Sequence, residues 1–459
     1  MKRLFTFFAV LSFCVSSFAQ ENVALQTQCQ HFAFTFFKGM SLKEKKNVCF
    51  SPLSVQYALS MVLNGADGET LRQMKGVLGC EIFDVETVNQ YLQQVLVALT
   101  TRPDFEYHPD QWETEEEQRA QYETQYPICE LANGVWMKNG FPFYDTFLNT
   151  LQEMYQAELD NVDFTTQEGI DVINNWVKDK THGLIPQLFA EPLDFDVVML
   201  LANALYFKGA WSVDFDEHET TRQVFHNVNG TDIDVDMMHK LSYQWVAHNG
   251  KFTVVKLPYG NGDFSMTLFL PEDDFSFPQL TWDDWMTGRL QLQPKNIYLS
   301  LPCFTTEGSY DLVDYLKEMG MVDAFDQSMA DFSKLSPMEV YVSKVNQLSK
   351  IVVNEKGTEA AAVTYIEVAG NSMPQEPEEY VTFDRPFYYT IEHNGTGMVL
   401  FVGRVNQFDN NTAHGSINGI NTPVHQSDAP QLYDLAGRRL SGIPQKGIYI
   451  QNGRKIVVR

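Results

Sequence analysis

The chain has 459 residues, 44% of them hydrophobic and 20% charged, with 28 glycines and 19 prolines. That supplies a large globular core and excludes a fibrous or disordered chain. The net charge of −26 is unevenly shared: residues 410–459 hold six Lys or Arg against two Asp, which leaves the preceding chain at −30 and disfavours nucleic acid and other polyanions as partners of the body.

In chain order, Lys2 and Arg3 precede an apolar run from Leu4 to Val15, and Ser17-Phe18-Ala19 before Gln20 fits a small-x-small cleavage site. Residues 1–19 therefore read as a signal peptide, and the protein as a secreted one. Losing Cys14 with that segment leaves five cysteines, an odd number with no zinc spacing, expected as buried free thiols. Asn47 to Met74 reads as a strand and helix, with Ser51 before Pro52 as an N-cap and first-turn proline. The apolar helix Phe83 to Leu99 carries no basic residue. Residues 101–127 hold eight acids against Arg102 and Arg119 and read as a solvated acidic insertion loop, with Tyr107, Trp112 and Tyr122 leaving a partner site open. Ile128 to Met137 is strand-like.

Further on, Val340, Val342, Val345 and Ile351 to Val353 predict a strand-rich stretch buried in a sheet. The run Glu355 to Thr364, E-K-G-T-E-A-A-A-V-T, is then made of small residues. By itself it is either an Ala-rich helical turn or a loop slim enough to enter a sheet as a strand. No Lys or Arg follows from Gly357 to Asp384. Residues 409–430 are rich in Asn, Thr, Ser, Gly and Pro and read as a linker. Residues 431–459 read as a small β segment with a hairpin at Asn452-Gly453. The chain contains no H-E-x-x-H, G-x-S-x-G, Walker-type or paired C-x-x-C motif, so no catalytic residue, metal ligand set or cofactor is expected.

Five blocks together resemble the serpin family. They are Asn47 to Met74 with F-S-P-x-S, Ile173 to Ile185 (INNWVKDKTHGLI), Leu201 to Trp211 (LANALYFKGAW), Val255 to Glu272 (VKLPYGNGDFSMTLFLPE), and Phe383 to Phe408 with F-x-R-P-F and G-R-V. They occur in the family's order and span roughly residues 25 to 408. The tail, with Y-D-L-x-G-R and G-I-Y-I-x-x-G-R-K, resembles the C-terminal sorting signals of exported Bacteroidetes proteins, which implies a bacterial protein at the cell surface, outside the cell or in the periplasm.

The serpin resemblance implies an α+β fold over residues 20–408, with a large central, mostly antiparallel sheet, additional sheets, eight or nine helices and an exposed reactive-centre loop within 355–382. It implies a monomeric inhibitor, not an enzyme, that forms a covalent complex with its target protease: the loop is cut, and inserts into the central sheet before the acyl-enzyme hydrolyses. The hinge would be Glu355, Gly357, Thr358, Glu359, Ala360, Ala361 and Ala362. The sheet-opening cluster would be Ser51, Ser54, Asn203, Gln347 and Trp211, with Gln347 standing where the family has a histidine. Counting about 17 positions from Glu355 places the scissile bond at Asn371-Ser372, with Gly370 and Met373 as alternatives. With no basic residue in the loop, elastase-, subtilisin- or chymotrypsin-like serine proteases are the expected targets; cysteine proteases, or a non-inhibitory binding role, are the alternatives. The family's heparin-binding helix is not basic here, so no heparin-like polyanion is expected.

Overall fold

The computed structural model describes residues 2–109, 113–272, 280–358 and 376–409 and short strands within 432–458, with the backbone alone described for residues 2–20 and for those last strands. The chain divides into two compact units, Met1–Gly415 and Ser416–Arg459. In the first, the elements run α1 (Lys2–Lys43), β1 (Val48–Phe50), α2 (Pro52–Leu63), α3 (Gly68–Leu78), α4 (Val85–Thr100), α5 (Glu115–Gln125), β2 (Ile128–Lys138), α6 (Asp145–Tyr155), β3 (Glu158–Val162), α7 (Gln167–Lys180) and β4 (Met199–Ala210). They continue with β5 (Thr221–His226), β6 (Asp232–His248), β7 (Phe252–Tyr259), β8 (Phe264–Pro271), α8 (Trp282–Leu290), β9 (Gln293–Pro302), β10 (Phe304–Asp311), α9 (Val313–Glu318), β11 (Asn346–Asn354), β12 (Gly357–Thr358), β13 (Glu379–Thr382), β14 (Phe387–His393) and β15 (Val399–Val405). Nine α-helices lie among the described residues, and α1 runs through the expected cleavage point without a break. No helix among the described residues is long and apolar enough to cross a membrane.

Two sheets form the body. The six-stranded sheet has the order β10-β11-β12-β4-β2-β3 and is antiparallel except for the β2–β3 pair. The nine-stranded sheet runs β1-β15-β14-β8-β7-β6-β9-β13, with β5 added on β6 and only β13 parallel to its neighbour. The 17-residue β6 is long enough to pair with β5, β9 and β7 along successive stretches. Alternation places Phe207 of β4 against Tyr259 and Phe264, and Phe304 of β10 against Phe387 and Tyr389, so one apolar core lies between the sheets. Helix α2 packs against both β4 and β15 and is buried at every position except Ala58. Its start obeys the local rule: Ser51 Oγ accepts the Ser54 N–H at 3.0 Å and Pro52 occupies the first turn.

Two sequence expectations are corrected. The acidic stretch 101–127 is not wholly loop, because Thr114 and Glu117 close a reciprocal capping box and start α5. Its glutamates at 115 to 117 sit at the positive end of the helix dipole, while Arg102 and Arg119 lie over the rings of Tyr122 and Phe105. Trp112 falls outside the described residues. The valine-rich stretch pairs only from Asn346 onward; Val340, Val342 and Val345 lie outside any strand and pack half-buried against the core.

In the second unit, β16 (Leu432–Tyr433), β17 (Arg439–Leu440), β18 (Gly447–Gln451) and β19 (Arg454–Val458) form a four-stranded sheet of order β17-β16-β18-β19. Gln451 pairs with Arg454, the residues on either side of the expected hairpin Asn452-Gly453, which itself lies outside the described residues.

Candidate functional site

Two of the residues expected in the hinge lie in the six-stranded sheet. Gly357 and Thr358 form β12, with Gly357 opposite Asn354 and Ala210, and Thr358 opposite Val353 and Gly209. Glu355 and Lys356 make the tight turn from β11, held by Asn354 Oδ1, which accepts the N–H groups of Lys356 at 2.9 Å and Gly357 at 3.3 Å. Gly357 has φ +148°, and a Cβ there would meet the Gly209 carbonyl oxygen at 2.1 Å. Only glycine allows this approach. Thr358 is 1% exposed and its Oγ1 lies 2.5 Å from the Tyr259 hydroxyl. The span 355–382 expected as hinge and loop therefore opens with a turn and a two-residue strand. At the other end, Glu379–Thr382 is strand β13 on β9 rather than loop. Glu359, Ala360, Ala361 and Ala362, and the scissile candidates Gly370, Asn371, Ser372 and Met373, lie outside the described residues.

Trp211 sits beside this hinge, not in the serine and asparagine cluster, which corrects its grouping. Its indole N–H donates to Asn354 O at 2.9 Å, its backbone N–H donates to Lys356 O at 2.9 Å, and its ring stacks on Tyr259 at 4.5 Å. Trp211 follows the end of β4 and stands eight positions from Asn203, about 26 Å of extended chain. The following chain secures the turn: Phe215 N–H donates to Glu355 O, Thr220 Oγ1 donates to Glu355 Oε1 at 2.7 Å, and Lys356 reaches Asp214 and Glu217 at 3.6 and 3.5 Å.

Burial dominates the electrostatics here. It pushes the Lys240 ammonium from an ordinary 10.5 down to about 7, against the opposing pull of Asp214. That ammonium donates to Val213 O and lies 4.1 Å from the Phe215 ring centroid. Asp214 is raised by burial, with Lys356 and Lys240 opposing. Burial, then the Glu355 carboxylate, drives the Cys303 thiol far above its ordinary range.

Below β12 the two walls part. Among the described residues β4 pairs only with β2 and β12, and β11 only with β10 and β12, so the lower stretches of β4 and β11 face each other without pairing. A cavity of about 250 Å³ occupies this cleft, and its lining brings together Ser51, Ser54, Asn203 and Gln347, four of the five residues expected in the cluster. Gln347 Nε2 donates to Ser51 O at 2.5 Å. Asn203 Nδ2 donates to Asn133 Oδ1 at 2.8 Å. The acceptor oxygens Gln347 Oε1 and Asn203 Oδ1, both buried, make no hydrogen bond within the described protein.

Sequence reasoning missed the relay behind Asn203. Asn133 Nδ2 donates to Tyr155 O at 2.7 Å, the Tyr155 hydroxyl donates to Asn89 Oδ1 at 2.6 Å, and Asn89 exchanges hydrogen bonds with Asn64. The available signal was Asn133 in the middle of a strand, a residue type that strands disfavour and that, when buried, demands partners. The described residues contain no group of three His, Cys, Asp or Glu side chains placed to hold a metal ion.

Comparison with known proteins agrees with this architecture. The family model described as "Serpin (serine protease inhibitor)" matches residues 27–408. Iripin-2 of Ixodes ricinus is 32% identical over 416 residues, covering 89% of this chain and 98% of its own. The leukocyte elastase inhibitor of Equus caballus is 34% identical over 405 residues, covering 83% and 98%. Among solved structures, the thermophilic serpin Tengpin in its native state superposes with a TM-score of 0.71 at 29% identity, covering 84% of this chain and 94% of that one. With this fold and a family model that matches residues 27–408, the chain belongs to the serpin family.

Proposed function

We propose that this chain is a suicide-substrate inhibitor of endopeptidases, directed at serine proteases of elastase-, subtilisin- or chymotrypsin-like specificity. The observation that carries the reading is β12: two hinge residues already lie between β4 and β11, directly above a cleft whose walls are unpaired. The protease's nucleophilic oxygen attacks the carbonyl carbon of Asn371 or a neighbour, the peptide C–N bond breaks, the amine of the next residue leaves with a proton, and an ester joins loop to protease. The freed strand then extends β12 downward.

The register predicts where each residue lands. Continued antiparallel from Thr358, Ala360 comes opposite Phe207 and Ile351, Ala362 opposite Leu205 and Ser349, and Thr364 opposite Asn203 and Gln347. These positions share the inward face with buried Thr358. The alanines are small where Phe207 and Leu205 are large, and the Thr364 hydroxyl supplies a donor between the two unpartnered acceptors. Glu359 turns to the other face, opposite Lys208, as a cross-strand pair of opposite charge.

Export through the 1–19 signal, display or release through the basic C-terminal segment, and action as a monomer on a protease outside the cytoplasm belong to the same proposal. Incubation with an elastase or subtilisin should yield an SDS-resistant complex and a small C-terminal fragment whose first residue identifies the cut. A panel of serine and cysteine proteases that only nicks the loop, with no complex and no gain in thermal stability, would refute it and leave a binding role.

A further inference from the structure

The outward face of the nine-stranded sheet carries aromatic side chains that the fold does not use. On β6, alternation turns Leu241, Tyr243 and Trp245 to solvent at 42%, 64% and 49% exposure, and Tyr380 of β13 is 70% exposed. The register makes this one patch: Leu241 lies opposite Tyr298 of β9, and Tyr298 lies opposite Tyr380. Tyr380 has a ring partner in Tyr298 at 5.6 Å, which explains it as a cross-strand pair. No such pair accounts for Tyr243 and Trp245, which have no ring–ring contact among the described residues. At the exposures found, the three aromatic rings of Tyr243, Trp245 and Tyr380 offer on the order of 350 Å² of contact area.

Strand direction places them beside the loop. β13 is parallel to β9 and follows the loop, so the loop joins the sheet at the end where β9 begins. Glu378 N–H donates to Asn296 O there, at 2.8 Å. β6 runs antiparallel to β9, with Tyr243 opposite Asn296 and Trp245 opposite Pro294, so the patch climbs from Leu241 toward the loop and ends level with the point where the loop meets the sheet. Met373 and Tyr380 are seven residues apart, at most about 25 Å of extended chain, which is within the footprint of a protease seated on the loop. A stable encounter buries about 800 Å² per partner, with Tyr and Trp enriched in it, more than a slim loop alone presents.

We propose that Tyr243, Trp245 and Tyr380 form a second docking surface for the target protease, engaging an apolar rim beside its active-site cleft before the loop is cut. This rests on the inhibitor reading for its partner but not on loop insertion. The test measures binding of elastase-, subtilisin- and chymotrypsin-type proteases whose nucleophilic serine is replaced by alanine, together with the rate of covalent complex formation by the active forms. The doubly substituted variant Tyr243→Ser, Trp245→Ser and the separate variant Tyr380→Ser should each weaken encounter and slow association by about tenfold or more. The stoichiometry of inhibition, and cleavage of a synthetic peptide of residues 359–378, should stay unchanged. Encounter affinity equal to wild type in both variants overturns the docking surface. Covalent trapping with unchanged affinity leaves the inhibitor reading standing and this one refuted; patch-dependent binding without trapping does the reverse. Wild-type protein that binds none of the three proteases refutes both.

Discussion

Replacing Thr358 with arginine separates the two competing fates of the acyl-enzyme. The side chain at 358 is 1% exposed, flanked by Gly209 and Val353 and capped by the Tyr259 hydroxyl, so it is lodged between two strands. An unpaired guanidinium buried there costs about 3–5 kcal/mol. The threonine hydroxyl bond is lost in either arrangement, so expelling the two-residue strand forfeits only its backbone bonds, at about 0.5–1.5 kcal/mol each. The two costs are comparable, so the uncut variant should still fold, with its hinge able to leave the sheet. After cleavage, however, residue 358 must be in the sheet before the alanines can follow, and the same penalty slows insertion roughly 10²–10⁴-fold while ester hydrolysis proceeds as before. An inhibitor becomes a substrate. The assay is a denaturing gel of protease–serpin mixtures, with Thr358→Val as the control that keeps the shape and loses only the hydroxyl. Complex yield from Thr358→Arg equal to that from wild type would rule out insertion through this hinge.

The remaining predictions follow from individual side chains. Thr364→Val should leave the uncut protein as stable as before but remove about 1 kcal/mol from the loop-inserted, cleaved form, because the hydroxyl proton that would partner one of Asn203 Oδ1 and Gln347 Oε1 is gone; identical denaturation of the two cleaved proteins would show the register to be wrong. Lys240 releases its proton at about 7 in the fold and near 10.5 when unfolded. Between those values the unfolded chain binds more protons and stability rises with pH; below about 7 both states are protonated and the burial penalty is present in full. Lys240→Met should therefore flatten that rise by up to roughly 1.4 kcal/mol per pH unit, and parallel stability curves for variant and wild type would contradict the burial argument. Cys29, Cys49, Cys80, Cys129 and Cys303 are all free, and burial pushes the first three up to about 12, 11 and 11. Thiol reagents at pH 8 should label the native protein slowly and all five after denaturation, whereas a disulfide in a non-reducing peptide map, or fast native labelling, would refute this.

What could be read from the chain alone was whatever local rules decide. Ser51-Pro52 had to open a helix because hydroxyl capping and a missing amide suit that position in any context. Asn452-Gly453 between two β runs signalled a hairpin, and Gly357 with its small neighbours marked a segment that can enter a sheet. The order of five motif blocks supplied the family. The helix in the acidic insertion was also within reach, since Thr114 and Glu117 stand at capping-box spacing, but the density of charge there argued for loop. Tertiary structure alone decided how far the hinge had entered and where the sheet was open. Those facts depend on the pairing of residues about 150 positions apart, such as Thr358 with Gly209, and on the absence of pairing between the lower halves of β4 and β11. For the same reason Trp211 could not be assigned to the hinge rather than the serine cluster, and Tyr243 could not be placed beside the loop's exit. Asn203 lies on β4 and Trp211 just past its end, and only their tertiary partners show that the two positions do different work.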